Sequence, residues 1–226
     1  MKTWSDYYSR LDIGDFLRRF PFPSQTSSLV ARYAQRGDRI LEAGMGTAVD
    51  SIYLSHYEYQ IFGIDKELQI VKNARELNES LKGKAKFIQM DTFKLGFKDN
   101  SFDLIFHEGT IEHYNNKEII EMLKEQLRVA KIVILGVPTS RYPRSAPGTY
   151  PGGSFGDENF LTFRQLKEVL VDFKIIEING CGVVEPKYKR LLINMVYLPF
   201  WIINEKIWSR RYLPFCNFLY FIITNR

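Results

Sequence analysis

Two glycines and three acidic residues stand where short apolar segments of the sequence end. Glu42, Gly44 and Gly46 are spaced two apart after one such segment, Asp65 ends the next, and Asp91 follows a third. Glycine lets the backbone turn tightly and approach a ligand closely, and a helix that starts there offers its N-terminus to a carboxylate or phosphate. A carboxylate at the height of Asp65 can accept hydrogen bonds from both hydroxyls of a ribose. These residue types and spacings predict a site for a nucleoside-containing ligand, with Asp91 placed to accept from an adenine amino group.

The glycine turn has a second interpretation, because dinucleotide-binding proteins carry the fingerprint G-x-G-x-x-G/A. In this chain Val49 occupies the position at which that fingerprint requires its last small residue. Glu42 would repel a pyrophosphate, whereas it would attract a sulfonium or an ammonium group. Both residues therefore disfavour a nicotinamide dinucleotide and favour a positively charged nucleoside.

The elements that must position these residues are strands and helices in alternation. The sequence predicts strands at 39–43, 60–65, 85–90, 102–106, 132–137, 173–178 and 218–224. It predicts helices at 4–20, 24–35, 49–56, 67–81 and 118–129, and a further helix opened by a capping box of Thr162 and Gln165. Such alternation implies a parallel sheet with helices on both faces. The acids are then expected at the carboxyl edge of the sheet, where open α/β sheets bind ligands.

With these residues, the chain resembles the class I S-adenosylmethionine-dependent methyltransferases, especially small-molecule enzymes of the ubiquinone-biosynthesis type. The resemblance covers about residues 38–137 and rests on the segments 42–46, 63–66, 90–92 and 102–113. It implies an α/β fold with a Rossmann-like, mostly parallel seven-stranded sheet, helices on both faces and an antiparallel last strand. It also implies S-adenosylmethionine as the cofactor and an in-line displacement of its methyl group, in which the protein mainly aligns the acceptor and excludes water.

The resemblance assigns an expected role to each matching residue. Glu42 and the backbone around Ala43, Gly44 and Gly46 would hold the methionine end, Asp65 and Lys66 the ribose, Asp91 and Thr92 the adenine, and the backbone at His107 and Glu108 the amino acid portion of the cofactor. Ala48 departs from the family pattern, because many members have a third glycine there. Alanine is nearly as small as glycine, so we expect little effect of this departure.

A base is needed for some oxygen and nitrogen acceptors, and histidine suits that role near neutral pH. The chain has His56, His107 and His113. His113 follows the fourth predicted strand on the expected substrate side, so we predict His113 as the base and His107 as the second choice. The alternative is that His113 only packs against or caps the start of the next helix.

Composition limits the other ligands and partners. The formal net charge is +5, which permits RNA binding without requiring it. Cys181 and Cys216 form no C-x-x-C pair, so no metal site is expected, and such sparse cysteines indicate a reducing, cytoplasmic compartment. The start lacks the apolar core of a signal peptide. The longest apolar run, 191–203, is interrupted by Asn194 and Pro199 and is shorter than the roughly 20 residues of a membrane span.

Three segments lie outside the alternating pattern of the single predicted domain, 1–226. Residues 1–37 are predicted as an N-terminal helical cap, 138–160 as a lid-like loop rich in proline, glycine and aromatic residues, and about 181–214 as a helical insertion before the last strand. The aromatic residues of 187–213 could cover an apolar or aromatic substrate, rest on a membrane surface or form a homodimer interface.

The sequence thus predicts a methyltransferase for a small-molecule acceptor, with O-, N- and C-methylation all open. One alternative is an RNA methyltransferase, against which the lack of an N-P-P-Y-type tetrapeptide and of an RNA-binding module counts. The other is a non-catalytic protein that binds S-adenosylmethionine as a scaffold, because a fold does not guarantee activity.

Overall fold

The computed structural model describes residues 24–140, 159–183 and 213–225. In chain order the elements are α1 (Gln25–Tyr33), β1 (Arg39–Ala43), α2 (Val49–Leu54), β2 (Gln60–Asp65), α3 (Leu68–Ser80), β3 (Lys86–Gln89), β4 (Phe102–Glu108), α4 (Asn116–Val129), β5 (Ala130–Pro138), α5 (Phe163–Val169), β6 (Lys174–Val183) and β7 (Cys216–Thr224). One-turn 3₁₀ helices occur at Ile111–His113 and Leu213–Phe215. The helix predicted at 4–20 lies outside the described residues, as do most of the predicted 138–160 loop and 181–214 insertion.

The seven strands form one sheet in the order β3-β2-β1-β4-β5-β7-β6. Neighbours among β1 to β5 pair in parallel, whereas β7 runs antiparallel to both β5 and β6. The predicted mostly parallel, Rossmann-like seven-stranded sheet with an antiparallel last strand is confirmed. Parallel pairing brings the carboxyl ends of β3, β2, β1 and β4 to one edge, side by side in that order.

Apolar side chains cover both faces of the sheet. On one face α4 and α5 bury residues such as Leu123 and Leu166, and on the other α1, α2 and α3 bury Val30, Ile52 and Val71, all without measurable exposure. A parallel sheet that is covered on both sides reads as near-continuous apolar runs, as the sequence of β5 does. Among the described residues, the helices therefore cover the faces of the sheet and leave the carboxyl ends of the parallel strands uncovered.

Side-chain hydrogen bonds fix the starts of the helices. Capping boxes open α4 at Asn115 and, as predicted, α5 at Thr162, and each satisfies backbone N–H groups that lack a partner within the helix. Within the described ranges, no helix is both long and apolar enough to cross a membrane.

Helix α1 crosses the sheet from β4 to β6. At its start Thr26 donates a hydrogen bond to Glu108 of β4. At its end Arg32 forms an ion pair of 2.7 Å with Glu177 of β6, and the Tyr33 hydroxyl donates to the same carboxylate. These contacts place the N-terminal end of α1 at the carboxyl edge of the parallel strands.

Candidate functional site

The connection from β1 to α2 is a turn in which three residues have left-handed backbone conformations. The φ angles are +68° at Gly44, +49° at Gly46 and +56° at Ala48. The N–H of Gly44 donates to the Ile64 carbonyl at 2.9 Å, and a Cβ on Gly44 would lie 3.2 Å from Oγ1 of Thr110. Glycine is therefore needed at position 44, because the turn is held closely between the end of β2 and the segment that follows β4.

This turn opens on a cleft at the carboxyl edge of the sheet. The space in the cleft is about 790 Å³ when its open mouth is counted. Six of the predicted cofactor residues line it: Gly44, Gly46, Asp65, Lys66, Asp91 and Thr92. The parallel sheet thus brings together residues from three strand ends that are up to 48 positions apart in the sequence, as predicted.

Asp65 lies at the centre of the cleft wall, and its carboxylate is held in a fixed orientation. One of its carboxylate oxygens, Oδ1, accepts from the backbone N–H of Glu67 at 3.0 Å, and Oδ2 accepts from that of Gly46 at 3.4 Å. Burial raises the pKa of Asp65 above its usual value, and these two hydrogen bonds oppose the shift. The result is an oriented hydrogen-bond acceptor directly beside the glycine turn.

Glu42 and Ala43 lie behind the turn and do not line the cleft. The carboxylate of Glu42 accepts from the backbone N–H of Ser51 in α2 at 3.2 Å. Burial raises the pKa of Glu42 well above its usual range, and the negative charges of Asp50 and Glu108 raise it further. Acidic side chains thus gather at the end of the cleft formed by the glycine turn.

The opposite end of the cleft combines an acid with aromatic rings. Oδ1 of Asp91 accepts from the N–H of Phe93 at 2.9 Å, and the Phe93 ring meets that of Tyr114 edge to face at 4.9 Å between centroids. Tyr114 lines the cleft, and burial, together with the charge of Asp91, raises its pKa. Sequence reasoning missed Tyr114, although its place beside His113 could have indicated it.

His113 lines the cleft close to Lys66. Burial lowers the pKa of its imidazole, and the positive charge of Lys66 lowers it further, against a hydrogen bond with the Gly109 backbone. The imidazole is therefore neutral near pH 7, as a base must be. Its role as a base remains a prediction.

His107 occupies a different environment, inside β4 and outside the cleft. It is fully buried, and this burial lowers its pKa to about 4. The nearby Gln126 donates from Nε2 to the hydroxyl of Thr92 at 3.2 Å, which links the core to the cleft wall. The imidazole of His107 is thus a core group rather than part of the cleft lining.

The Glu108 side chain extends from the end of β4 toward α1 and β7. Its Oε2 accepts from the hydroxyls of Thr26 and, at 3.3 Å, Tyr220. These partners are 82 and 112 residues away in the sequence, so no motif or spacing could have indicated them. Both partners are buried, while Glu108 is exposed.

A match to a family of known proteins covers the region of this cleft. Residues 40–132 match the model of a family described as methyltransferase domain. The chain is 30% identical over 102 residues to the ubiquinone/menaquinone biosynthesis C-methyltransferase UbiE of Azotobacter vinelandii, which covers 43% of this chain and 40% of that protein. It is 29% identical over 82 residues to phosphoethanolamine N-methyltransferase 3 of Arabidopsis thaliana, covering 36% of this chain and 17% of that protein.

A third curated relative is the eEF1A lysine and N-terminal methyltransferase of Bos taurus, 28% identical over 109 residues, with 45% of this chain and 16% of that protein covered. The matched regions therefore span from about a sixth to two fifths of the length of these relatives.

Two solved structures match this chain over almost its full length. The PH0226 protein from Pyrococcus horikoshii has a TM-score of 0.68 at 18% identity, with 98% of this chain and 99% of that chain covered. A Haloferax volcanii complex between the Trm112 methyltransferase activator and a putative methyltransferase gives 0.67 at 14% identity, with 99% and 98% covered. At such identities the likeness concerns the fold alone.

Proposed function

We propose that this chain, which belongs to the class I S-adenosylmethionine-dependent methyltransferases, transfers a methyl group to a small-molecule acceptor. The methyltransferase-domain match and the sheet topology confirm the family predicted from the sequence. The observation that carries the proposal is the carboxylate of Asp65, which two backbone N–H groups hold between the glycine turn and the acid at the end of β3.

The cleft residues fit S-adenosylmethionine in shape and charge. Gly44, Gly46 and Gly109 have positive φ angles and line the cleft without side chains, so the backbone there can approach the methionine portion closely. The nearby acids suit a sulfonium and an ammonium group. This arrangement would repel a pyrophosphate, which disfavours a nicotinamide dinucleotide.

At the other end of the cleft, Asp65 would accept from the ribose hydroxyls, with Lys66 beside it, and Asp91, Thr92 and Tyr114 would flank the adenine. S-adenosylmethionine supplies a methyl group that is already activated by the positive sulfur. The chain's own residues therefore have to align the acceptor and exclude water. His113 is proposed as the base where the acceptor carries an O–H group, because its imidazole is neutral near pH 7 and lines the cleft.

The names of the relatives cover several acceptor classes. One names N-methylation of phosphoethanolamine, one the lysine and N-terminus of a protein, and one C-methylation in quinone biosynthesis. We propose a small molecule because two of these three names describe small-molecule chemistry. A cytoplasmic location, a homodimer and peripheral membrane contact are further proposals from the sequence.

Two measurements test this function. Isothermal titration with S-adenosylhomocysteine is expected to show binding, whereas NAD is expected not to bind. Transfer of labelled methyl from S-adenosylmethionine into cell extract, split into metabolite, lipid, RNA and protein fractions, is expected to label the metabolites. Label in RNA or protein would show that the acceptor is RNA or protein instead of a small molecule. Binding of S-adenosylhomocysteine without methyl transfer would favour a scaffold, and failure to bind it would overturn the proposed function.

A further inference from the structure

The sheet order arranges the functional groups in a line along the carboxyl edge. Asp91 follows β3, Asp65 ends β2, the glycine turn follows β1, and Glu108 ends β4. If the cofactor lies across the first three strand ends, as the proposed function requires, its methionine portion reaches the boundary between β1 and β4. The acceptor must then meet the methyl group on the side of Glu108.

Strand register extends this line as a polar row across the other half of the sheet. Glu108 of β4 is opposite Gly136 of β5, Gly136 is opposite Tyr220 of β7, and Tyr220 is opposite Asn179 of β6. A Cβ on Gly136 would lie 2.7 Å from Cε1 of Tyr220, so the tyrosine ring lies directly over this glycine. The lack of a side chain at position 136 lets the Tyr220 hydroxyl cross β5 and donate to Glu108.

Two side chains of this row bear on ligand binding. Glu108 is exposed at the end of β4, and its carboxylate accepts from two buried hydroxyl groups. The side chain of Asn179 is 6% exposed, and its Nδ2 has no hydrogen-bond partner among the described residues. A buried amide without a partner is rare in proteins and calls for a ligand or water. Its register position next to Tyr220 places it in the same row.

Within the part of the chain that the structure describes, the charges that act on this region are negative. Asp50 and Glu108 both act on the buried Glu42 and raise its pKa. Burial and then the charge of Glu108 raise the pKa of Tyr220, so the phenol stays protonated and donates to the carboxylate. A region of this kind attracts a cation and repels a carboxylate, a phosphate or a phenolate.

We propose that Glu108, fixed by Thr26 and Tyr220, binds the methyl acceptor and that the acceptor is an amine. The assignment rests on the proposed function. The amine reacts in its neutral form, after the ammonium form has lost one proton to solvent. Its nitrogen forms a bond to the methyl carbon while the carbon–sulfur bond breaks, and the electron pair of that bond stays on sulfur.

This reaction moves the positive charge from sulfur to nitrogen, which becomes a methylammonium beside Glu108. Relative to the bound neutral amine, a fixed carboxylate interacts more strongly with the nitrogen as that charge develops, and such differential stabilisation lowers the barrier of the transfer step. No base is needed in the transfer step itself. Glu108 thus acts as an acceptor-binding catalytic residue on the side of the cleft away from His113.

The test uses two probes that share a carbon skeleton, benzylammonium and benzyl alcohol, with the protein saturated with S-adenosylhomocysteine. Ligand-observed NMR titration is expected to show at least tenfold tighter binding of the ammonium. Glu108→Gln, which keeps the shape and removes the charge, is expected to reduce this preference to below threefold. The control Glu76→Gln, on an exposed residue of α3, should leave the preference unchanged.

Tyr220→Phe provides a second variant in case Glu108→Gln fails to fold. It retains the carboxylate and removes one of its hydroxyl partners, so the preference is expected to fall two- to fivefold. Equal binding of the two probes by the wild type, or an undiminished preference in both variants, would overturn the amine assignment while leaving methyl transfer intact. Failure of the wild type to bind S-adenosylhomocysteine is recorded separately in the same titrations; it would overturn the proposed function, and the amine assignment with it.

Discussion

Substituting Gly136 by alanine is expected to disturb the acceptor side of the site from within β5, at a residue that does not itself line the cofactor cleft. The new Cβ would lie 2.7 Å from Cε1 of Tyr220 and 3.0 Å from Cε1 of Phe218. Ordinary van der Waals contact begins at 3.4 Å, so the Tyr220 ring has to shift by about 0.7 Å to restore it. Its hydroxyl is already 3.3 Å from Glu108, and a shift of that size away from the carboxylate breaks the hydrogen bond.

The stability cost follows from the same contacts. Overpacking a core by one methyl group costs about 1–3 kcal/mol. Removing a glycine from the unfolded chain returns about 0.4–1 kcal/mol, so the midpoints of the two ranges leave a net loss of about 1.3 kcal/mol in the free energy of unfolding. For a chain of this size, 1 kcal/mol corresponds to about 2–4 °C, so the Tm of Gly136→Ala is expected to fall by about 3–5 °C.

Two assays separate this effect from general damage. Thermal unfolding followed by circular dichroism gives the change in Tm, and the paired benzylammonium and benzyl alcohol titrations give the change in acceptor preference. The matched control is Gly96→Ala, because the nearest atom to its added Cβ is Cε of Met90 at an ordinary 3.6 Å. We expect the control to keep the Tm within about 2 °C, since surface substitutions usually change stability by less than 0.5 kcal/mol.

The outcome for Gly136→Ala decides whether Tyr220 reaches Glu108 across β5. For this variant we expect a lowered Tm, a lost preference for benzylammonium over benzyl alcohol, and an unchanged affinity for S-adenosylhomocysteine. An unchanged Tm and an unchanged preference would refute the reasoning, because the added methyl group would then have found room without moving the ring.

Three further predictions concern the cofactor side. Asp65→Asn is expected to weaken binding of S-adenosylhomocysteine about 10- to 150-fold, as the loss of hydrogen bonds worth about 1.5–3 kcal/mol requires; a calorimetric change below twofold would contradict the ribose role. Because burial raises the pKa of Glu42, the stability that its protonated form contributes is complete below the ordinary value of 4.5 and is lost as the pH rises through the folded pKa. Glu42→Gln should therefore melt above the wild type by a margin that grows from pH 4.5 upward in the ligand-free protein, and a constant margin would count against this shift. His113→Ala is expected to retain the wild-type pH–rate profile with an amine acceptor, whereas loss of the limb near neutral pH would assign the base to His113.

The strands could be predicted from the sequence because each is a short apolar segment bounded by polar or turn residues. Strands β1 and β2 have the predicted bounds, and the other helices and strands of the parallel part differ by a few residues at their ends. Strand β6 was predicted to stop at Ile178, but it continues to Val183. Its extra length comes from antiparallel pairing with β7, a tertiary contact that local patterns do not encode.

The cofactor side of the site could also be predicted from the sequence, because its residues follow strand ends and a glycine turn. The small side chain of Ala48 predicts little effect of its departure from the family pattern. The structure shows instead a conformational demand, since alanine at φ +56° occupies a left-handed region that costs an L-residue roughly 1–2 kcal/mol. The acceptor side could not be predicted, because Thr26, Glu108 and Tyr220 meet only through the fold.

The position of β7 between β5 and β6 has a consequence for how the molecule assembles. A ribosome releases β5 and β6 before β7. Strand β5 can already pair with β4, but its other edge stays open, and β6 borders only β7 in the sheet. Until β7 is made, the nascent protein exposes the unpaired backbone edge of the apolar strand β5, and strands of other chains can pair with this edge. Slow synthesis or early termination before β7 should therefore promote aggregation, and chaperone demand should peak in that interval.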